Sequence, residues 1–450
     1  MKVHINQIVS IFFLLQLAFY LGAEPVTIEQ PVLLASLESD RSLSQPHTID
    51  LDEVLNSLNT RIETQPTDFE AQLVNSILMF KSGERDRALE ALDHLIRQAP
   101  DFHLAYLIRG DIRLSAVKAI NKVGNNTLLE QVVNSQKSQD LNNLRDEARV
   151  RLGNVHYQPY LHQVPREILA LGDNVNTAIL VEKSRNRLYL YQRRADGSLS
   201  MLRDYYVSTG KLNGNKKLRG DLKTPEGVYF ITSFIPQSKL PDKYGVAAFP
   251  VNYPNELDTR LGKTGFGIWL HGTDSRSYSR PPLDSEGCVV LTNKDLRSIK
   301  TFIKPGVTPV VISEKVTWLT LQQWQHERAS LFSTLELWRR DWQSMDVEQY
   351  LSHYGTEFWA RGYNFRSWLD KKRMVSKSKK FQHVTLSNIS LLSYPFETLK
   401  VNAENQSPSN SIVVARFEQD YSSNNFNSKM NKRLYLKRHA EGWKIVYEGR

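Results

Sequence analysis

Cysteine occurs once among the 450 residues, at position 288, and His271 precedes it by 17 positions. Thiol and imidazole can act as a nucleophile and its base. A thiol attacks a carbonyl only as thiolate, and at its free pKa of about 8.5 little of it is ionised at neutral pH. A neighbouring imidazole that takes the proton removes that limit. Both residues adjoin short strand-like runs, Ile268-Trp269-Leu270 and Val289-Val290-Leu291, so two adjacent strands can bring them side by side. Gly272 leaves room for a backbone carbonyl to hold the second ring nitrogen and fix the tautomer. Gly287 permits an unusual backbone angle before the cysteine. Backbone N–H groups around Gly287 and Cys288 can then donate to a developing oxyanion.

A single thiol rules out an intramolecular disulfide and a four-thiolate zinc site. What it does depends on the compartment. Lys2 precedes the apolar run Ile8 to Leu21, and Leu21-Gly22-Ala23 offers small residues before Glu24. That is the anatomy of a secretory signal peptide cleaved near Ala23, with an uncleaved anchor as the alternative. The run is shorter than the roughly 20 apolar residues of a comfortable span. The expectation is therefore an exported protein of the periplasm or cell envelope, with no transmembrane span after cleavage. An unpaired thiol there is a liability unless it has a chemical use, although a buried structural cysteine is an equal reading.

The stretch Trp269-Leu270-His271-Gly272-Thr273 … Ser285-Glu286-Gly287-Cys288-Val289 resembles the signature of the YkuD-type L,D-transpeptidase catalytic domain. A second block, Ser208-Thr209-Gly210-Lys211 followed by Gly220-Asp221-Leu222-Lys223-Thr224-Pro225-Glu226-Gly227, is similar to that family's "STG … GDxxTPxG" sequence. The resemblance implies a mainly β fold and cysteine acyl chemistry on peptidoglycan stem peptides, with no metal or organic cofactor. By position, Cys288 is the nucleophile, His271 the proton acceptor and Gly272 the orienting carbonyl. Ser285 and Gly287 shape the loop and oxyanion site. Many members carry a second histidine where this chain has Glu286. A carboxylate pointing inward there would disfavour the thiolate, so Glu286 is expected to point outward with no catalytic role.

Peptidoglycan L,D-transpeptidation on tetrapeptide stems is the leading expectation. Its alternatives are L,D-carboxypeptidase trimming of tetrapeptides to tripeptides and, less favoured, a non-catalytic wall-binding scaffold. Arg276 and Arg280, in the loop between the two motif halves, can grip a stem carboxylate or be solvated loop residues. Tyr244 can line the cleft or simply pack. The whole chain carries a formal net charge of +10, and residues 176–315 hold 22 lysines and arginines against 13 acids. Such a balance attracts anionic partners, here carboxylate-bearing stems. Nucleic acid is not expected, because basic residues interleaved with aromatics on a known module are missing. The dense basic run from Lys371 to Lys380 reads as a solvated or wall-contacting face.

The elements that must position this couple divide the chain into parts. After the signal peptide (1–23) and a polar linker (24–50), residues 51–170 read as a helical region. Pro66 and Pro100 lie 34 residues apart, as do Ala71 and Ala105. With Ser76, Ala88 and Leu92 they resemble tetratricopeptide-like repeats, a plain helical hairpin being the alternative. Either form suggests a homodimer contact or a protein partner through this region. Residues 171–315 are punctuated by glycine and proline and read as a β-rich domain. The last segment opens with aromatic helices (Trp318 through Trp342, then Val347 to Phe358) and ends in strands, and its domain is bounded at 330–450. This order is similar to the cone-shaped, nuclear-transport-factor-2-like (NTF2-like) α+β fold. The predicted architecture is multidomain: a helical TPR-like region, a mainly-β L,D-transpeptidase domain and an α+β NTF2-like domain.

Overall fold

The computed structural model describes residues 51–116, 135–154, 163–395 and 411–450. The signal and linker segments lie outside these residues. Among them, no helix is long and apolar enough to cross a membrane.

Four helices, Leu51–Thr64, Phe69–Lys81, Arg85–Gln98 and His103–Leu114, pack in sequence and are joined by the helix Ser135–Gly153. The two prolines 34 residues apart do the same work. Pro66 and Pro100 each open a two-residue turn three residues before the next helix. Ser76, Ala88, Leu92 and Ala105 are fully buried. The helical region was expected to run to residue 170. Instead the last described helix ends at Gly153, and Gln163–Pro165 and Ile168–Ala170 are strands.

The central domain holds a five-stranded sheet, in the order Leu199–Tyr206, Arg187–Arg193, Thr177–Glu182, Pro309–Ser313, Gly227–Phe230. A four-stranded sheet runs Val289–Val290, Trp269–His271, Ala247–Pro250, Ile235–Pro236. Strand Thr177–Glu182 is buried at every position. Successive side chains point to opposite faces of a strand, and here each face has its own core. Ile179 and Val181 join Leu188, Tyr229, Phe249, Leu270 and Val289 between the two sheets. Ala178 and Leu180 face the other way, into a cluster shared with Leu392, Ile412, Val414, Tyr435 and Tyr447 of the C-terminal domain.

That C-terminal domain is a seven-stranded sheet packed by the helices Leu321–Ser344 and Phe365–Ser376. Its last strand is Ile168–Ala170, which pairs with Gln382–Ser393. The chain thus contributes an edge to the C-terminal sheet before it enters the central domain. The first aromatic helix starts at Leu321, three residues later than predicted, because Trp318–Thr320 pairs as a strand with Gln163–Pro165. Thr320 then caps the helix through a reciprocal Thr320–Gln323 box. The second predicted helix is also shorter, ending at Leu351, and Tyr354–Ala360 is a strand of the sheet.

Candidate active site

His271 ends the strand Trp269–His271, which runs parallel to Val289–Val290 with Leu270 opposite Val289 and His271 opposite Val290. Leu270 and Val289 point into the core. By alternation, His271 and Cys288 project from the other face of the same strand pair. Both border one cleft of about 600 Å³.

The buried His271 ring is held from two sides. Its Nδ1 lies 2.6 Å from the Gly272 carbonyl oxygen. A carbonyl only accepts, so Nδ1 carries the proton and Nε2 is left as the base. Tyr244 packs edge-on against the ring, centroids 5.0 Å apart at 82°, and the Gly272 N–H donates to the Tyr244 carbonyl. Burial, with the charges of Arg280 and Lys243, holds the imidazole down to about 4, although the Gly272 carbonyl favours the proton. The histidine is therefore neutral at pH 7. Burial pushes the Cys288 thiol up to about 11; the Glu286 carboxylate adds to this, and Arg280 and Lys243 oppose it. The resting couple is thiol plus neutral imidazole rather than a preformed ion pair. Proton removal must accompany attack.

The cysteine loop is built around Ser285. Its Oγ accepts the Gly287 N–H at 3.1 Å and donates to the Cys288 carbonyl at 2.6 Å. This corrects one expectation: the Gly287 amide is engaged within the loop and is not free for an oxyanion. Glycine is still required there. Its φ is +125°, and a Cβ would stand 2.7 Å from the Lys223 carbonyl oxygen. That contact brings in the second sequence block. Strand Thr209–Gly210 pairs with Leu283–Ser285, and the Gly210 N–H donates to Thr224 Oγ1 at 2.9 Å. Asp221 gathers the Lys216 ammonium and the N–H groups of Lys217, Leu218 and Lys223. Burial works against its charge, yet these donors hold its carboxyl at about 2. The two motif blocks, distant in sequence, are one wall of the cleft.

The loop arginines part company. Arg280 borders the cleft; its guanidinium donates to the Lys243 carbonyl at 2.6 Å and approaches Thr273 Oγ1 at 3.4 Å. Arg276 is exposed and lies away from the cleft lining, so the expected pair of carboxylate grips reduces to one. Glu286 is exposed at the rim. Sequence reasoning missed Asn293. Its side chain donates to the Thr273 carbonyl at 2.8 Å and accepts the Val246 N–H at 3.1 Å, bracing the His-Gly-Thr turn. Nothing local marks it, because it opens the helix Asn293–Lys300 and meets the turn only through the fold.

Residues 176–312 match the family model of the L,D-transpeptidase catalytic domain. The central domain belongs to that family. Residues 330–449 match the Cds6 C-terminal NTF2-like domain. Two solved structures are similar to the chain over somewhat less than two thirds of its length. Bd1075 of Bdellovibrio bacteriovorus is 28% identical, with a TM-score of 0.54, and the match covers 64% of this chain and 97% of that one. The helical cell shape determining protein Pgp2 of Campylobacter jejuni is 28% identical, with a TM-score of 0.52, covering 63% and 95%. No curated protein sequence matches the chain. The L,D-transpeptidase domain is accompanied by a second cavity, of about 210 Å³, in the NTF2-like domain. Lys372 and Lys379 line it, so the basic run is not wholly solvated as expected. Lys372 lies 3.7 Å from the buried Glu448, which Lys432 also engages.

Proposed function

We propose that this protein is a cysteine acyl-transfer enzyme of the L,D-transpeptidase type, exported to the cell envelope and acting on tetrapeptide stems of peptidoglycan. The observation that carries this reading is a thiol and a neutral, tautomer-fixed imidazole projecting from adjacent parallel strands into one cationic cleft. His271 Nε2 takes the thiol proton as Cys288 Sγ attacks the carbonyl before the terminal residue. With the Gly287 amide engaged, the Cys288 N–H is the donor assigned to the oxyanion. His271 then returns the proton to the leaving amine, and a thioester remains. An acceptor amine resolves it into a new peptide bond. The relative from Campylobacter determines helical cell shape, and wall remodelling of that kind is the role this reading gives the chain.

One observation favours water as the acceptor, giving L,D-carboxypeptidase activity. Lys211, Lys216, Arg219, Lys243 and Arg280 line the cleft against Asp284 and Glu286. Stem carboxylates are attracted by such a lining, but an acceptor arriving as an ammonium is repelled. Mass spectrometry of the products of purified tetrapeptide stems distinguishes cross-linked dimers from tripeptide monomers. Cys288→Ala is expected to abolish both products while the fold is retained. Undiminished turnover by that variant overturns the proposal.

A further inference from the structure

The loop between the two motif halves does not belong to the L,D-transpeptidase domain alone. Tyr278 leaves it to pack in the helical domain, its ring 4.2 Å from that of Phe102 and 6.0 Å from that of Phe69. The next residue, Ser279, donates through Oγ to Glu147 Oε1 at 2.6 Å. The residue after that, Arg280, is held by its backbone. Its carbonyl accepts the Tyr206 hydroxyl at 2.8 Å, and Tyr206 in turn lies under the Arg151 guanidinium at 4.0 Å. Arg151 is a helical-domain residue, nearly fully buried and paired with Glu147 and Glu70. Three consecutive residues thus run from an aromatic pocket of one domain to the catalytic cleft of another.

We propose that the helical domain completes the active site, with Tyr278 as the positioning residue that seats Arg280 in the cleft beside His271 and Cys288. This rests on the cysteine-enzyme reading above. The rigid ring at 278 fixes the loop, the loop fixes the guanidinium, and the guanidinium is one of two positive charges, with Lys243, that act on both members of the couple. That charge favours the thiolate over the thiol and offers a bidentate partner to a stem carboxylate. With the helical domain undocked, the loop keeps its ends at Thr273 and Asp284 but loses its middle support, and Arg280 is held only within the central domain, by Lys243, Thr273 and Tyr206.

The test uses the full chain and its single cysteine. The rate of Cys288 alkylation by iodoacetamide between pH 7 and 10, read by intact mass, reports thiolate stability whether or not the protein turns over a stem peptide. Tyr278→Ala is expected to slow alkylation about threefold or more and to raise KM for a tetrapeptide more than it lowers kcat. Tyr278→Phe keeps the ring and is expected to match the parent in both. Ser279→Ala, which removes only the half-buried hydrogen bond to Glu147, is expected to shift both in the same direction by less. Alkylation and KM unchanged in folded Tyr278→Ala overturn the proposal, as does Tyr278→Phe behaving like Tyr278→Ala. If Tyr278→Ala does not fold, an unshifted Ser279→Ala overturns it. Loss of the alkylation effect with turnover present sinks this inference alone; a parent protein that alkylates as expected but never turns over a stem sinks the cysteine-enzyme reading instead.

Discussion

The L,D-transpeptidase domain has two neighbours, and it joins them by different physics. Toward the NTF2-like domain the seam is built on an apolar core, with the Arg433–Glu256 ion pair and an Asn255–Tyr394 hydrogen bond beside it. Ala178 and Leu180 on one side meet Ile412, Val414 and Tyr435 on the other, and strand Ile168–Ala170 is woven into the far sheet. Toward the helical domain the seam is largely ionic. Across it, Glu70 takes Arg187 at 2.9 Å and Arg61 lies 3.5 Å from Asp204; Arg151 at 2.8 Å backs Glu70 from the helical side, and Asp204 backs Arg187 from the other. Tyr278 is the principal aromatic crossing it. A shared apolar core has no separate halves, so the first pair is expected to behave as one cooperative body. A seam of charges holds only while its partners keep their protonation and alignment. The loop that carries Arg280 into the cleft is attached to the second kind of seam.

The largest effect should come from the apolar seam. Leu180→Ala removes a fully buried side chain there and is expected to cost about 3 kcal/mol. In a urea titration with probes in both domains, the L,D-transpeptidase and NTF2-like domains should shift together. Separate midpoints would break the comparison. Glu70→Gln should come next, at about 2 kcal/mol, because it leaves two buried guanidiniums short of a charged acceptor. Here the helical domain should loosen first, seen as earlier proteolysis after residues 51–153 with the rest intact.

Acid sharpens the same contrast. Burial opposes ionisation of Glu70, but Arg187, Arg151 and Arg61 outweigh it and hold its carboxyl at about 2. A depressed carboxylate contributes stability that is fully present above its unfolded value and is lost as pH falls through the folded one. The helical seam should therefore weaken progressively from about pH 5 toward pH 2, read by hydrogen exchange of the helices. The smallest effect concerns the reaction itself. With His271 held at about 4, the acid limb of kcat/KM should fall near that pH and not at the ordinary imidazole value. Arg280 is one of the charges that depresses it, so Arg280→Ala should move the limb upward. An unmoved limb would separate Arg280 from the couple and leave the ionic seam without a catalytic consequence.

Some of this was legible in the chain. Two adjacent strands were legible in the apolar runs Ile268-Trp269-Leu270 and Val289-Val290-Leu291, although their parallel orientation was not. Gly287 marked a backbone angle and a close approach that no side chain tolerates, and Gly272 the carbonyl that holds the imidazole. The repeat of Pro66 and Pro100 gave the spacing of helix starts. Other parts were opaque. Residues 163–170 carry too few positions to show a period, and their partners lie more than 150 residues away at Leu391 and Trp318. Arg276 and Arg280 are equivalent as letters in a loop; only one is drawn into the cleft. The aromatic run from Trp318 reads as a single helix, yet its first three residues pair as a strand.

What the sequence determined by itself was the chemistry available: one thiol, one histidine at strand spacing, and two glycine-bearing blocks that admit the close turns around them. These are local properties, set by residue type and by which backbone angles each residue allows. What only the tertiary structure decided was their state and their setting. Burial made the imidazole neutral and the thiol protonated, because desolvation depends on everything packed around a group. The engagement of the Gly287 amide, the brace from Asn293 and the reach of Tyr278 into a second domain all join residues whose contact no local pattern encodes.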